Sequence, residues 1–389
     1  MEEVKKEERL FCPSAKKCGG CQLSNLTYAE QLRLKEKNVT KLLGRFCRVE
    51  PILYGEPYHY RNKVQAAFGR TRGGEIISGV YQSGTHRIVK TDSCLLEDPR
   101  ADAVIVTVRD LIRRFHLTVY DERAASGFLR HVLVKVAVGT GEIMVVLVTG
   151  TQIFPRKNDF CRALLQKHPE ITTVVQNVND RFTSLVLGEK QTVLYGGGYI
   201  TDELLGRRFR VSPKSFYQIN YHMTERLYAA ALDFAAIQKT DRVIDAYAGV
   251  GTIGLLASDR AKEVLSIESN PEASADAKKN ARLNGIQNMR FLCADATEAL
   301  REMAKAREKA DVVILDPPRA GSTPAFIRSV SALKPPRVVY VSCNPETLAR
   351  DLQLFVKEGY RVKRCQPVDM FPYTLHVETV CLMSRVEGK

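Results

Sequence analysis

From about residue 223 onward the sequence alternates short apolar runs with longer stretches of helical spacing. RVIDAY, EVLSIE, MRFLCA, DVVILD and RVVYVS are the apolar runs, each of strand length. Strands separated by helices pair in parallel through right-handed crossovers. The pattern therefore predicts an open α/β sheet with helices on both faces. One crossover helix is punctuated by Asn270 as N-cap, Pro271 at the first helical position and Gly285 just past the end. Near the C-terminus VKRCQPV and HVETVCLM are separated by a turn around Phe371-Pro372, which predicts an antiparallel hairpin at one edge.

The first part of the chain reads differently. Thr27-Tyr28-Ala29-Glu30 has the spacing of a capping box, and Tyr28, Leu32, Val39, Leu42 and Leu43 then recur at helical spacing. One amphipathic helix over 27–45 follows, placed to pack on the C-terminal domain. From about 50 to 210 the signals are strands: HVLVKVAV (131–138) and EIMVVLV (142–148) flank a turn at Gly139-Thr140-Gly141. ITTVVQNV, TSLVLG and QTVLYGGG continue in that style, with helical breaks near 101–115 and 158–167. At 389 residues the chain has room for two domains, a β-rich one over 1–210 and an α/β one over 211–389.

The longest apolar run, 143–148, falls far short of the roughly 20 residues a membrane helix needs. The opening segment MEEVKKEERL is mostly charged and resembles no secretory signal, so a cytoplasmic address and no membrane partner are expected. Residues 1–210 hold 33 basic and 23 acidic side chains, against 25 and 21 in 211–389. That surplus points to a polyanion-binding surface in the first half. Arg61, Lys63, Arg70 and Arg72 follow Tyr58 and Tyr60, and Arg130-His131 form a second basic patch. Basic residues beside aromatics suit a phosphate backbone with an exposed base.

Asp245-Ala-Tyr-Ala-Gly249-Val-Gly251-Thr-Ile-Gly254 follows a strand and opens a helix, and Glu268 ends the next strand, where it could hold ribose hydroxyls. The motif alone is compatible with a dinucleotide or with S-adenosylmethionine. Two later features favour the methyl donor. Asp295 closes the third strand, in reach of an adenine, and Asp316-Pro317-Pro318-Arg319 closes the fourth as a rigid wall with a carboxylate facing the crevice. Cys343 stands 27 residues after Asp316 at the end of the next strand, so both should face one crevice. A helix starting after Asn344-Pro345 would favour its thiolate. A cysteine beside a pyrimidine has a specific use. Thiolate addition at C6 of uracil makes C5 a carbanion equivalent able to take a methyl group, and a base must then remove the C5 proton. Glu378, an acid in an otherwise apolar strand, is the candidate base. An N-methyltransferase acting on adenine or guanine would need neither Cys343 nor Glu378.

A reducing compartment argues against disulfides among the ten cysteines. Cys12, Cys18 and Cys21 form C-x5-C-x2-C, with Cys94 the nearest fourth ligand. On spacing alone the set could hold zinc or an iron–sulfur cluster. The other cysteines outside this set and Cys343 read as small buried hydrophobes.

LDPPRAG, VSCNPETLARD, HVETV, SPKSFYQIN and the cysteine cluster together resemble the S-adenosylmethionine-dependent RNA (uracil-5-)-methyltransferase family, in its iron–sulfur 23S ribosomal RNA branch. The resemblance spans Cys12 to Val380. It implies a C-terminal Rossmann-like class I methyltransferase domain behind an N-terminal β-rich domain that carries a 4Fe-4S cluster and binds RNA. It further implies Cys343 as nucleophile, Glu378 as proton acceptor, and Gln218, Tyr247, Glu268, Asp295 and Asp316 as residues holding S-adenosylmethionine. Cys12, Cys18, Cys21 and Cys94 are by the same resemblance the cluster ligands, 23S rRNA is the partner, and the chain acts as a monomer. Many members carry a small β-barrel before the cysteines, where this sequence has eleven residues.

Overall fold

The computed structural model describes residue 9, residues 11–183 and residues 185–386; the remainder of the charged opening segment lies outside the described residues. Helices α1 (Ala15–Cys18) and α2 (Tyr28–Leu43) precede a seven-stranded sheet. Its strands are β1 (Lys63–Arg70), β2 (Ile76–Tyr81), β3 (Ile88–Lys90), β4 (Leu129–Val136), β5 (Ile143–Thr149), β6 (Ile171–Val178) and β7 (Lys190–Tyr195), in the spatial order β3-β2-β1-β4-β5-β6-β7. Helices α3 (Pro99–Arg114) and α4 (Lys157–Lys167) cover one face, packing on Ile143, Val145 and Leu147 of β5. The alternate residues Met144, Val146 and Val148 face a hairpin of β8 (Ile200–Leu204) and β9 (Arg207–Val211). Both faces of β5 are thus covered, which explains its unbroken apolar run. The hairpin turns through Leu205 and Gly206, both with positive φ, as a type I′ turn requires.

The second sheet holds β10 (Arg242–Ala246), β11 (Glu263–Glu268), β12 (Met289–Cys293), β13 (Val312–Leu315), β14 (Arg337–Ser342), β15 (Tyr360–Val368) and β16 (Glu378–Arg385), ordered β12-β11-β10-β13-β14-β16-β15. The first five run parallel, and β16 is antiparallel to both neighbours. Helices α5 (Tyr221–Ala235) and α6 (Thr252–Ser258) pack on Val243, Val264, Ile314 and Val341. The connections also carry α7 (Pro271–Leu283), α8 (Ala296–Lys305), α9 (Pro324–Leu333) and α10 (Pro345–Lys357). The last three pack on the opposite face, on Ile244, Val313, Leu315 and Tyr340. This is the Rossmann-like methyltransferase arrangement.

Helix α2 belongs to that second core although it lies far away in sequence: Tyr28, Leu32, Val39 and Leu43 are buried in it. Its capping box is formed, with Thr27 N–H donating to Glu30 Oε2 at 2.8 Å and Glu30 N–H to Thr27 Oγ1 at 3.3 Å. Lys35 reaches Asp369 Oδ1 at 2.6 Å with both side chains buried, and the Tyr28 hydroxyl donates to Asp369 Oδ2 at 2.9 Å.

Several expectations fail, among them that of buried cysteines: Cys293 is exposed and Cys47 only half-buried. TSLVLG is not a strand: Asn177 pairs with Gly188 through both its amide atoms, and Asn179 donates to Leu185 and Val186 carbonyls, so side chains take the bonds a ladder would use. Ser184 within it lies outside the described residues. Cys365 and Cys381, expected as reduced buried hydrophobes, are joined as a disulfide. They face each other across β15 and β16 with Cα atoms 4.4 Å apart, the close antiparallel pairing that lets two thiols meet.

Lys35→Met would leave Asp369 buried without its cation. We expect a loss of about 3–5 kcal/mol in urea unfolding, most of it recovered in the double variant Lys35→Met/Asp369→Leu. An unchanged midpoint for the single variant would show that the pair contributes nothing.

Candidate active site

The C-terminal ends of β10, β13 and β14 open into one crevice, where an open α/β sheet binds its ligands. A cavity of about 500 Å³ lies there, lined by Gln218, Tyr228, Asp245, Tyr247, Asp316 and Cys343 among others, with Glu378 at the start of β16. The glycine loop is built for close approach. Gly251 has φ +80°, and a Cβ on Gly254 would come within 2.8 Å of Asp245 Oδ2. That oxygen accepts the Gly254 N–H at 2.8 Å.

The electrostatics of the cavity are dominated by burial. Asp316 and Asp245 are each pushed up to about 7 by desolvation, and Glu378 to about 8 by desolvation and the neighbouring Asp316. The Cys343 thiol rises to about 11 because it is desolvated and faces Glu378 and Asp316, with Arg319 opposing the shift. The expected help from the following helix is outweighed: two carboxyls and a partly dry site favour the neutral thiol. At the cavity mouth Arg319 donates to His376 Nδ1 at 3.1 Å, and Phe216 stands 68% exposed.

Of the residues singled out in the sequence, Gln218, Tyr247, Asp316, Cys343 and Glu378 meet in this cavity. Glu268 and Asp295 do not line it. Glu268 closes the glycine loop by accepting the N–H of Gly249 at 2.8 Å and of Asn270 at 2.7 Å. Asp295 is the exposed N-cap of α8, accepting from Thr297 and Glu298. Tyr228 was not legible: in sequence it is one more apolar-face residue of α5, yet it reaches the cavity among Gln218, Asp316, Glu378 and Asp245.

Cys12, Cys21 and Cys94 pack together around Tyr60, Leu96 and Tyr373, and Cys18 is close enough for its charge to act on Cys21. Among the described residues no group of three His, Cys, Asp or Glu side chains is arranged to hold a metal ion. The donors are four thiols, a set that zinc or an iron–sulfur cluster would accept alike.

The basic patches are reorganised by folding. Arg130 is buried and bidentate to Glu122 at 2.6 and 2.8 Å, and His131 is buried beside it, so neither is offered to a polyanion. Tyr60 is buried, Tyr58 stacks on Tyr373, and Arg61 lies near Glu97 and Cys94. Lys63 and Arg70, seven residues apart on β1, point to opposite faces of their strand.

The chain matches the family model described as tRNA (Uracil-5-)-methyltransferase over residues 27–386. It is 42% identical over 378 residues to an uncharacterised RNA methyltransferase of Halalkalibacterium halodurans, covering 96% of this chain and 82% of that one. A second uncharacterised RNA methyltransferase, of Oceanobacillus iheyensis, is 44% identical over 370 residues, covering 93% and 80%. Among solved structures, the Pyrococcus abyssi tRNA (uracil-54, C5)-methyltransferase in complex with S-adenosyl-L-homocysteine superimposes with a TM-score of 0.76 at 28% identity, covering 94% of this chain and 86% of that one. No helix among the described residues is long and apolar enough to cross a membrane.

The raised carboxyls carry a stability consequence. Between the ordinary 4.5 and about 8 the folded Glu378 binds more proton than the unfolded one, so its contribution to stability falls as pH rises through that window. Glu378→Gln should melt with the parent at the acidic end and above it at the alkaline end, by at least about 1 kcal/mol. Parallel melting curves across the series would place the ionised carboxylate in a solvated site instead.

Proposed function

The chain belongs to the tRNA (uracil-5-)-methyltransferase family, and from that premise we propose that it methylates C5 of a uridine in 23S ribosomal RNA with S-adenosylmethionine as donor. The observation that carries the chemistry is the convergence of Cys343, Asp316 and Glu378 in one desolvated cavity beside a glycine loop. In this reading the Cys343 thiolate adds to C6 of the uracil, and the electron pair moves through C5 to the O4 enolate. C5 then takes the methyl group from the sulfonium, whose carbon–sulfur bond breaks to leave S-adenosylhomocysteine. Glu378 removes the C5 proton, and the returning electrons expel the Cys343 sulfur. A carboxyl with a pKa of about 8 is well poised for that proton transfer near neutral pH.

Gln218, Tyr247 and Asp316 would hold the donor and the base inside the cavity. Glu268 and Asp295 would act from its rim, Glu268 by shaping the loop at Gly249. The positive sulfonium would add a second cation to that of Arg319, lowering the pKa of Cys343 further toward the thiolate. A uracil in a helix cannot reach Cys343, so the target is a loop nucleotide or one swung out of its stack. Phe216 and Arg319 at the mouth are suited to receive it.

The same reading assigns Cys12, Cys18, Cys21 and Cys94 to a four-iron four-sulfur cluster. When bound, it would serve as a staple across the 72 residues between Cys21 and Cys94, a loop that is entropically costly to close. The methyl transfer itself needs no electrons. A tRNA target is the second reading, favoured by the tRNA specificity in the name of the Pyrococcus abyssi neighbour. Mapping 5-methyluridine in ribosomal and transfer RNA from cells lacking this chain decides between them.

The two catalytic residues should fail differently. Cys343→Ala should give neither product nor covalent RNA adduct. Glu378→Gln should still attach and methylate the RNA but release it about 10²–10⁴-fold more slowly, leaving an adduct on a denaturing gel. Methylation of uridine by Cys343→Ala would overturn the mechanism. Protein purified without oxygen should be brown and contain iron and sulfide, and Cys94→Ser should lose colour and solubility together. Stoichiometric zinc without sulfide would replace the cluster by a zinc site.

A further inference from the structure

Residues 212–220 join β9 to α5 and carry Phe216, Tyr217 and Gln218 into the cavity wall. This loop is held from the first sheet. The Lys135 side-chain amine, on β4, donates to the carbonyls of Ser212 and Ser215, each at 2.8 Å. Beside it, Asn62 donates its side-chain amide to the Gln218 carbonyl at 3.1 Å and its backbone N–H to Ile219 at 3.0 Å. The two anchors belong to one ladder, since Val136 N–H donates to the Asn62 carbonyl at 2.8 Å. From the far side Asp276 of α7 accepts the hydroxyls of Ser215 at 2.9 Å and Ser212 at 3.2 Å. Lys214 reaches Glu189 and Glu272.

Lys135 is an unusual choice for packing alone. It is 5% exposed, and among the described residues its amine has backbone carbonyls rather than a carboxylate as hydrogen-bond partners. A buried amine forgoes its hydration, and a methionine would fill similar space at no such cost. What the amine supplies is a fixed path for the loop backbone: two carbonyls three residues apart are drawn to one point. That bend sets where Phe216 and Gln218 face the cavity. The Gln218 side chain lies beside Tyr228, which lines the same cavity.

We propose that Lys135, assisted by Asn62, is a positioning residue of the methyltransferase site, through which the first sheet shapes the wall formed by Phe216, Tyr217 and Gln218. The inference rests on the function proposed above for the reaction it affects, though not for ligand binding itself. The test compares the full-length parent with Lys135→Met, Asn62→Ala and a control, Gln176→Leu. Gln176 is equally buried in the first sheet, but among the described residues its side chain bonds only to Thr149, Thr151 and Gln152. Each protein is melted, its affinity for S-adenosylhomocysteine is measured by calorimetry, and KM and kcat are measured on RNA containing unpaired uridines. A displaced wall is expected to weaken binding and raise KM about tenfold in Lys135→Met, and less in Asn62→Ala, with kcat changed less than KM. The control should lose melting temperature without losing affinity. Parental affinity and KM in Lys135→Met, or an equal loss of affinity in the control, would overturn the proposal. Should Lys135→Met fail to fold, Asn62→Ala decides by the same criteria. A parent that binds S-adenosylhomocysteine yet leaves uridine unmethylated would refute the proposed reaction while the binding comparison still judges Lys135.

Discussion

Three carboxyls and a thiol share one desolvated cavity, and much of the site's character follows from that crowding. Asp245, Asp316 and Glu378 cannot all ionise cheaply where water is scarce, so each keeps its proton well above the ordinary carboxylate range. Cys343 is held neutral by the same neighbours. Arg319, the guanidinium lining the cavity, is turned toward His376 at its mouth. Such a site is costly to the folded protein and receptive to a cation. That cost is offset by the apolar cores packed on the two faces of the second sheet.

The walls of this cavity come from both halves of the chain. Beyond the loop gripped by Lys135 and Asn62, the segment between β15 and β16 carries Phe371 and His376 and is held by residues from the start of the chain. Lys35 donates to the Phe371 carbonyl, Tyr60 to the Pro372 carbonyl, and Leu23 to that of Tyr373. Tyr373 itself has φ 64°, a left-handed conformation unusual for a bulky residue. Its N–H is fixed by Gln31 Oε1 at 2.8 Å, and its ring packs against the cysteine-bearing pocket. The thiols and the active-site loop are therefore parts of one packed unit.

Legibility in the sequence followed burial. Strands covered on both faces, such as β13 and β14, read as apolar runs, and Asp316 and Cys343 stood out just past their ends. Tyr228 and Phe216 carried no such contrast, one lost in a helical stripe and the other in an irregular loop. The basic patches misled for a related reason. Arg130 lies in a strand buried throughout its length, where only a partner such as Glu122 makes a guanidinium tolerable, and that partner is eight residues away on another segment.

The sequence by itself determined the alternation of elements, the helix caps at Thr27 and Asn270, the glycine loop and the residues that end each strand. All of these depend on periodicity or on bonds spanning a few residues. Only the tertiary structure decided that Lys35 meets Asp369 across 334 residues, that Cys365 faces Cys381, and that Glu268 braces the glycine loop and Asp295 caps α8 rather than lining the cavity. It alone decided which arginines are spent on internal partners and how far burial shifts each acid. Those outcomes depend on what packing brings together and on how much water it removes, neither of which is written in the spacing of neighbouring residues.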